Sequence, residues 1–147
     1  MGFHHLALFL HLVGVVLWVG GMAFIRVCLI SPALTGAQWA EALERFFPLA
    51  WMSIALIVVS GGFMLSVTGA ANAPWAWLAM SVLGTAMIIV FASIRFGPWV
   101  ELRVALARGG LAQAQARAAI ARIEKRLDVT LALAILTATM ATLGLGI

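Results

Sequence analysis

Four stretches of the chain carry no Asp, Glu, Lys or Arg, and each is about as long as a membrane-crossing helix: residues 3–25, 46–68, 75–94 and 129–147. The apolar core of a bilayer takes about 20 such residues in helical form. The boundaries carry their own signals. The first stretch ends against Arg26 and is followed by Ser31-Pro32, where the proline discourages further helix. The second holds Pro48 near its start, a residue tolerated in a first helical turn. A short link from Gly69 to Pro74 leads to the third, which Arg95 closes, and the fourth follows Asp128. Inside each stretch one stripe repeats at alternating steps of three and four, the spacing of a helix seam. The stripes are His4, Ala7, His11, Gly14, Trp18, Gly21 and Ile25; Ser53, Ile57, Ser60, Met64 and Val67; Met80, Gly84, Met87, Phe91 and Arg95; and Thr130, Ala134, Thr137, Ala141 and Gly144. Small residues on such stripes let helices approach closely.

Composition agrees with this pattern and excludes a water-soluble enzyme. Of 147 residues 65% are hydrophobic and 10% charged, against roughly 25% charged in a soluble domain. One cysteine, Cys28, allows no intrachain disulfide and no CxxC pair. The placement of charge then gives an orientation. All nine basic residues, Arg26, Arg45, Arg95, Arg103, Arg108, Arg117, Arg122, Lys125 and Arg126, fall in the first and third connections or the adjoining helix ends, with all five acids. Lys and Arg accumulate on the cytoplasmic side of a membrane protein, so both termini are expected outside the cytoplasm of a bacterial-type plasma membrane. The +4 formal charge then reports topology and anionic-lipid contact rather than a nucleic-acid partner. The N-terminus lacks the basic region and cleavage site of a signal peptide, so span one is expected to be retained.

Residues 99–126 are rich in helix formers around one breaker, Gly109-Gly110. They predict that helices three and four extend into the cytoplasm as a helical hairpin. Residues 38–45 read as a short amphipathic entry to span two, and Trp75, Trp77 and Trp99 as interfacial belt residues.

The chemistry concentrates in the outer half. His4, His5 and His11 are the only ionisable side chains there. His4 and His11 share a helix face about 10 Å apart, at ~1.5 Å per residue, so one helix cannot close a metal site with them. Met64, Met80 and Met140 fall on the same half of the other three spans. Thioether and imidazole donors suit Cu(I), and His–Met or His–His pairs are normal axial ligands of haem iron. An ionisable group inside a span is a functional candidate by default. The metal candidates are therefore His11, His4, His5, Met64, Met80 and Met140. Arg26 and Arg95, at the cytoplasmic span ends, are candidates for a cofactor's carboxylates. No carboxylate lies within any span, which argues against a proton pump or secondary transporter.

The pattern His11-x6-Trp18-x-Gly20-Gly21, with Arg45-Phe46-x2-Leu49-Ala50 and Ser60-Gly61, resembles the copper-resistance-D (CopD) type membrane domain over most of the chain. Span one is also similar to the related HemJ-type protoporphyrinogen oxidases, through His11, Trp18 and Gly21. The resemblance implies a four-helix membrane domain that handles copper, or one that holds haem b on the matching histidine and exchanges electrons with quinone. Where the HemJ type reads Trp-Leu-His-x-Lys, this chain has Trp77-Leu78-Ala79-Met80-Ser81, so Met80 or a second copy's His11 in a homodimer would supply the second ligand. The expected fold is an all-α, antiparallel bundle of four transmembrane helices, with helices three and four extended. Two further readings stand beside copper or haem handling: a structural subunit of a larger membrane complex, and a HemJ-type oxidase.

Overall fold

A computed structural model describes residues 2–29, 35–69, 72–109 and 113–144, except the side chains at 28–29 and 143–144. Its regular structure is helical throughout the described residues: α1 (Gly2–Leu29), α2 (Gly36–Thr68), α3 (Trp75–Phe96), α4 (Pro98–Ala107) and α5 (Gln113–Gly144). α1 lies along α2, and α5 lies along both α3 and α4, with smaller contacts of α1 with α5 and α2 with α4. The molecule is thus two hairpins side by side. Three segments are long and apolar enough to cross a membrane: Gly2–Val27, Gly36–Thr68, and Trp75–Ala107, which takes α3 and α4 together. The stretch expected as a fourth span is the second half of α5, and residues 145–147 lie outside the described part. So do the Ser31-Pro32 stop and Gly110.

Two boundaries differ from the sequence expectation. The segment 38–45 is not a separate entry helix, because α2 starts at Gly36 and runs unbroken to Thr68. A capping box fixes that start: the Gln38 amide donates to Thr35 Oγ1 at 3.4 Å, and the Thr35 amide donates to Gln38 Oε1 at 2.8 Å. Trp39 and Leu43 lie on the face that also buries Phe46, Phe47 and Ala50, so packing carries the helix through the charged residues. Pro48 is therefore interior to the helix, rather than in a first turn. The second difference is a break at Gly97-Pro98 between α3 and α4. Proline lacks the N–H that would continue α3, and Gly97 turns the chain at φ −117°, ψ −104°. Helix ends leave carbonyls without partners; here the Arg126 guanidinium from α5 donates to the Ser93 carbonyl. The expected extension of helix three does form, but as the separate helix α4.

The shared core sits at the charged end. Trp18, Met22 and Ile25 of α1, Leu43, Phe46, Phe47, Ala50 and Ile54 of α2, Met87, Phe91 and Ile94 of α3, Trp99 and Leu102 of α4, and Ile123 and Leu127 of α5 form one buried cluster. Phe91 is its hub, only 1% exposed. Its ring meets Trp18 at 5.8 Å, Phe46 at 6.2 Å, Phe47 at 5.8 Å and Trp51 at 6.0 Å between centroids. Such edge-to-face and tilted arrangements add about 0.5–1.5 kcal/mol per pair beyond area burial. At the other end each hairpin seals its own seam, and the buried Ala7 and Ala76 stand outside the cluster. The α1–α2 seam closes over glycine: a Cβ on Gly14 would sit 2.8 Å from Ile57, and one on Gly21 would sit 2.5 Å from the Phe46 ring. Trp75 is exposed and Trp77 half-buried, whereas Trp99 is not a belt residue. It is 4% exposed, against Phe47 and beneath the guanidinium groups of Arg95 and Arg103.

Candidate functional site around His11

The stripe of α1 that faces α2 carries His11 between Ala7 and Gly14, both buried. The small residues bring the backbones together, and the imidazole reaches α2. His11 Nδ1 lies 3.2 Å from the Ile57 carbonyl and 3.1 Å from Ser60 Oγ. The proton on this atom follows from its neighbours. A carbonyl oxygen only accepts, and the Ser60 hydroxyl already donates to the Leu56 carbonyl at 2.6 Å. Both partners therefore accept from Nδ1–H. In the neutral ring the lone pair is on Nε2, which has no hydrogen-bond partner among the described residues. An imidazole whose Nδ1–H is held by a backbone carbonyl, with Nε2 open, is the form in which histidine ligates metals. Gly61 completes the cradle, since a Cβ there would lie 3.2 Å from the ring's Cε1 and 3.4 Å from Nδ1.

The other candidates stand at varying distances from this grip. His4 and His5 are exposed, with their ring centroids 6.3 Å apart, and His4 is two turns from His11. Met64 is half-buried, one turn beyond Ser60 on the same face of α2. Met80 on α3 and Met140 on α5 are half-buried in the second hairpin. None of these methionines is hydrogen-bonded to His11 among the described residues, which contain no group of three or more His, Cys, Asp or Glu able to hold a metal ion. A closed multidentate site in one chain is therefore not built from those residue types there.

Arg26 and Arg95 belong to a different region. Arg26 lies fifteen residues from His11, about 22 Å along the helix, and clasps Asp128 through Nε–Oδ1 at 2.7 Å and Nη2–Oδ2 at 3.2 Å. That contact ties α1 to α5 and holds the Asp128 carboxyl below its ordinary pKa. Arg95 stacks on Trp99 at 4.0 Å and Phe47 at 5.5 Å. Both guanidinium groups thus serve contacts within the chain at the charged end. The indole N–H groups of Trp18 and Trp99 are buried without a hydrogen-bond partner among the described residues.

Sequence reasoning singled out His11 and placed Ser60 on a seam, but did not connect them. The signal was the antiparallel register itself: Gly14 opposite Ile57 brings His11 opposite Ser60 one turn further out. Comparison with protein-family models, with characterised proteins and with solved structures gives no match.

Proposed function

We propose that this chain is a plasma-membrane protein of four antiparallel spans, with both termini on the non-cytoplasmic side, that handles a redox-active metal or cofactor through His11. The observation that carries the proposal is the grip of α2 on the imidazole: the Ile57 carbonyl and Ser60 hydroxyl accept from Nδ1–H, and Nε2 keeps its lone pair for a metal. The orientation rests on the one-sided basic residues. One oriented imidazole per chain would supply a ligand to the iron of haem b, or one ligand of Cu(I). The second donor would be Met64, the thioether nearest in register, or His11 of a second copy across a two-fold axis. Haem b, when bound, would supply one-electron transfer to and from quinone; copper would be passed as cargo. The chain's own part is to orient the ring and keep its lone pair available in an apolar setting.

The visible spectrum and metal content of protein purified from cofactor-replete cells test this proposal. A Soret band lost in His11→Ala supports haem, and stoichiometric copper without Soret absorption, lost in the same variant, supports copper. Absence of both, or either persisting in His11→Ala, overturns the site. In that event the structural-subunit reading takes precedence. It is favoured by Gly20, Gly62 and Gly84, which have open space where a Cβ would stand and so offer close-approach surfaces that the chain does not use itself. A HemJ-type oxidase has only the span-one likeness behind it.

A further inference from the structure

Near the charged end of the second hairpin, α3 and α5 border a groove of about 430 Å³ lined by Val90, Ser93, Arg122, Lys125, Arg126 and Val129. Its composition changes along its length. Val90 and Val129 lie toward the uncharged end of the molecule, and Arg122 and Lys125 toward the charged end, so an apolar floor runs into a basic mouth. The mouth is only partly neutralised from within. Arg122 pairs with Glu101 of α4. Arg126 spends one N–H on the Ser93 carbonyl, a neutral acceptor that leaves its charge intact. Lys125 has no ion pair among the described residues. Glu124 is the neighbouring acid on α5, and it does not line the groove.

We infer that this groove binds the headgroup of an anionic phospholipid, with the phosphate among Arg122, Lys125 and Arg126 and the first acyl carbons against Val90 and Val129. Charge complementarity selects the headgroup, because a phosphodiester without a compensating ammonium meets three lining cations, of which Arg122 alone is paired with a carboxylate, and no lining acid. The amphipathic order of the lining selects a lipid over a free anion: the valines offer nothing to inorganic phosphate. Arg126 also gives the site a structural role, since the residue that faces the lipid phosphate is the one that caps α3 at the Gly97 break. The inference rests on the membrane reading above and is independent of His11.

The experiment is native mass spectrometry of the full chain released from detergent doped with phosphatidylglycerol or phosphatidylcholine, with detergent-phase partition measured on the same samples. Wild type should retain phosphatidylglycerol in preference to phosphatidylcholine. Lys125→Gln, an exposed change that leaves packing alone, should reduce that retention about fivefold, the factor for roughly 1 kcal/mol per basic residue at a membrane surface. Arg122→Gln with Lys125→Gln should lower it further, and Arg117→Gln, outside the groove, should not. Equal retention of the two lipids by wild type, or unchanged selectivity in the double variant, refutes the groove while detergent-phase partition keeps the membrane reading. Recovery in the aqueous phase refutes both. Displacement of the lipid by inorganic phosphate at equal concentration assigns the groove to a soluble anion and overturns the proposal.

Discussion

The tautomer of His11 is the most direct point at which the site is open to refutation, because it is fixed by the chain alone. With Ile57 O at 3.2 Å and Ser60 Oγ at 3.1 Å both accepting from Nδ1, the ring should carry its proton on Nδ1 and leave Nε2 bare. Histidine-labelled protein, cofactor-free and at a pH where the ring is neutral, reports this through its ring ¹⁵N shifts. Ser60→Ala then removes one of two acceptors. A net hydrogen bond is worth about 1 kcal/mol, and losing an outer-shell partner of a ligating histidine lowers metal affinity about 10–100-fold. The Ile57 carbonyl survives the substitution, so the lower end applies: about a tenfold weaker hold, measured as retention of haem or copper under competition. His11→Ala should abolish retention, and His4→Ala, altering an exposed ring, should leave it within twofold. An Nε2–H tautomer in the wild type would refute the geometry on which the ligand assignment stands. Equal losses in Ser60→Ala and His4→Ala would refute the role given to Ser60.

Three further predictions concern the framework. Gly21→Val should disrupt the α1–α2 seam, since even a Cβ would meet the Phe46 ring at 2.5 Å, whereas Gly62→Ala, with nothing within 4 Å, should be neutral; detergent unfolding midpoints compare them. Phe91→Ala should cost about 3 kcal/mol, the low end for a buried aromatic, because helices that meet in an apolar solvent gain contacts but little transfer energy. Its unfolding should show the hairpins parting before either hairpin unfolds. Asp128→Asn should cost at most about 1 kcal/mol, as befits a partly exposed ion pair. Because Arg26 depresses the Asp128 carboxyl, this contribution is fully present above the unfolded-state value of about 3.9. It is lost as pH falls through the lower folded value. Thermal scans from pH 7 downward should therefore bring wild type toward the asparagine variant, and parallel curves throughout would contradict the linkage.

Periodicity reveals a good deal of this architecture, because the residues that face a neighbouring helix recur at steps of three and four. Gly14, Trp18, Ser53, Ser60, Met87, Phe91 and Thr130 were all on the expected stripes, and all are buried. What periodicity misses is where a helix ends for reasons of packing rather than composition. Residues 38–45 read as a short amphipathic entry, yet Trp39 and Leu43 are 3% and 1% exposed, so α2 has no reason to stop at the first charge. Gly97-Pro98 is a legible breaker, overshadowed by the run of helix formers after it. Trp99 lies where a belt tryptophan would, but two stacked arginines and Phe47 enclose it. At the site, His11 is legible because an imidazole in a span is expensive. Its partners are a backbone carbonyl, which no sequence displays, and a serine that looks like any helix-bonded hydroxyl.

Because α1 and α2 are neighbours in sequence and close their seam on each other, every group that orients His11 lies before residue 69. The grip needs only the first hairpin, since Ile57, Ser60 and Gly61 all lie on α2. The second hairpin meets the first around one ring, Phe91, seated among Trp18, Phe46, Phe47 and Trp51, at the end of the molecule away from the histidine. The aim of the imidazole is thus set within the first hairpin, whatever the second hairpin does at the far end of the molecule.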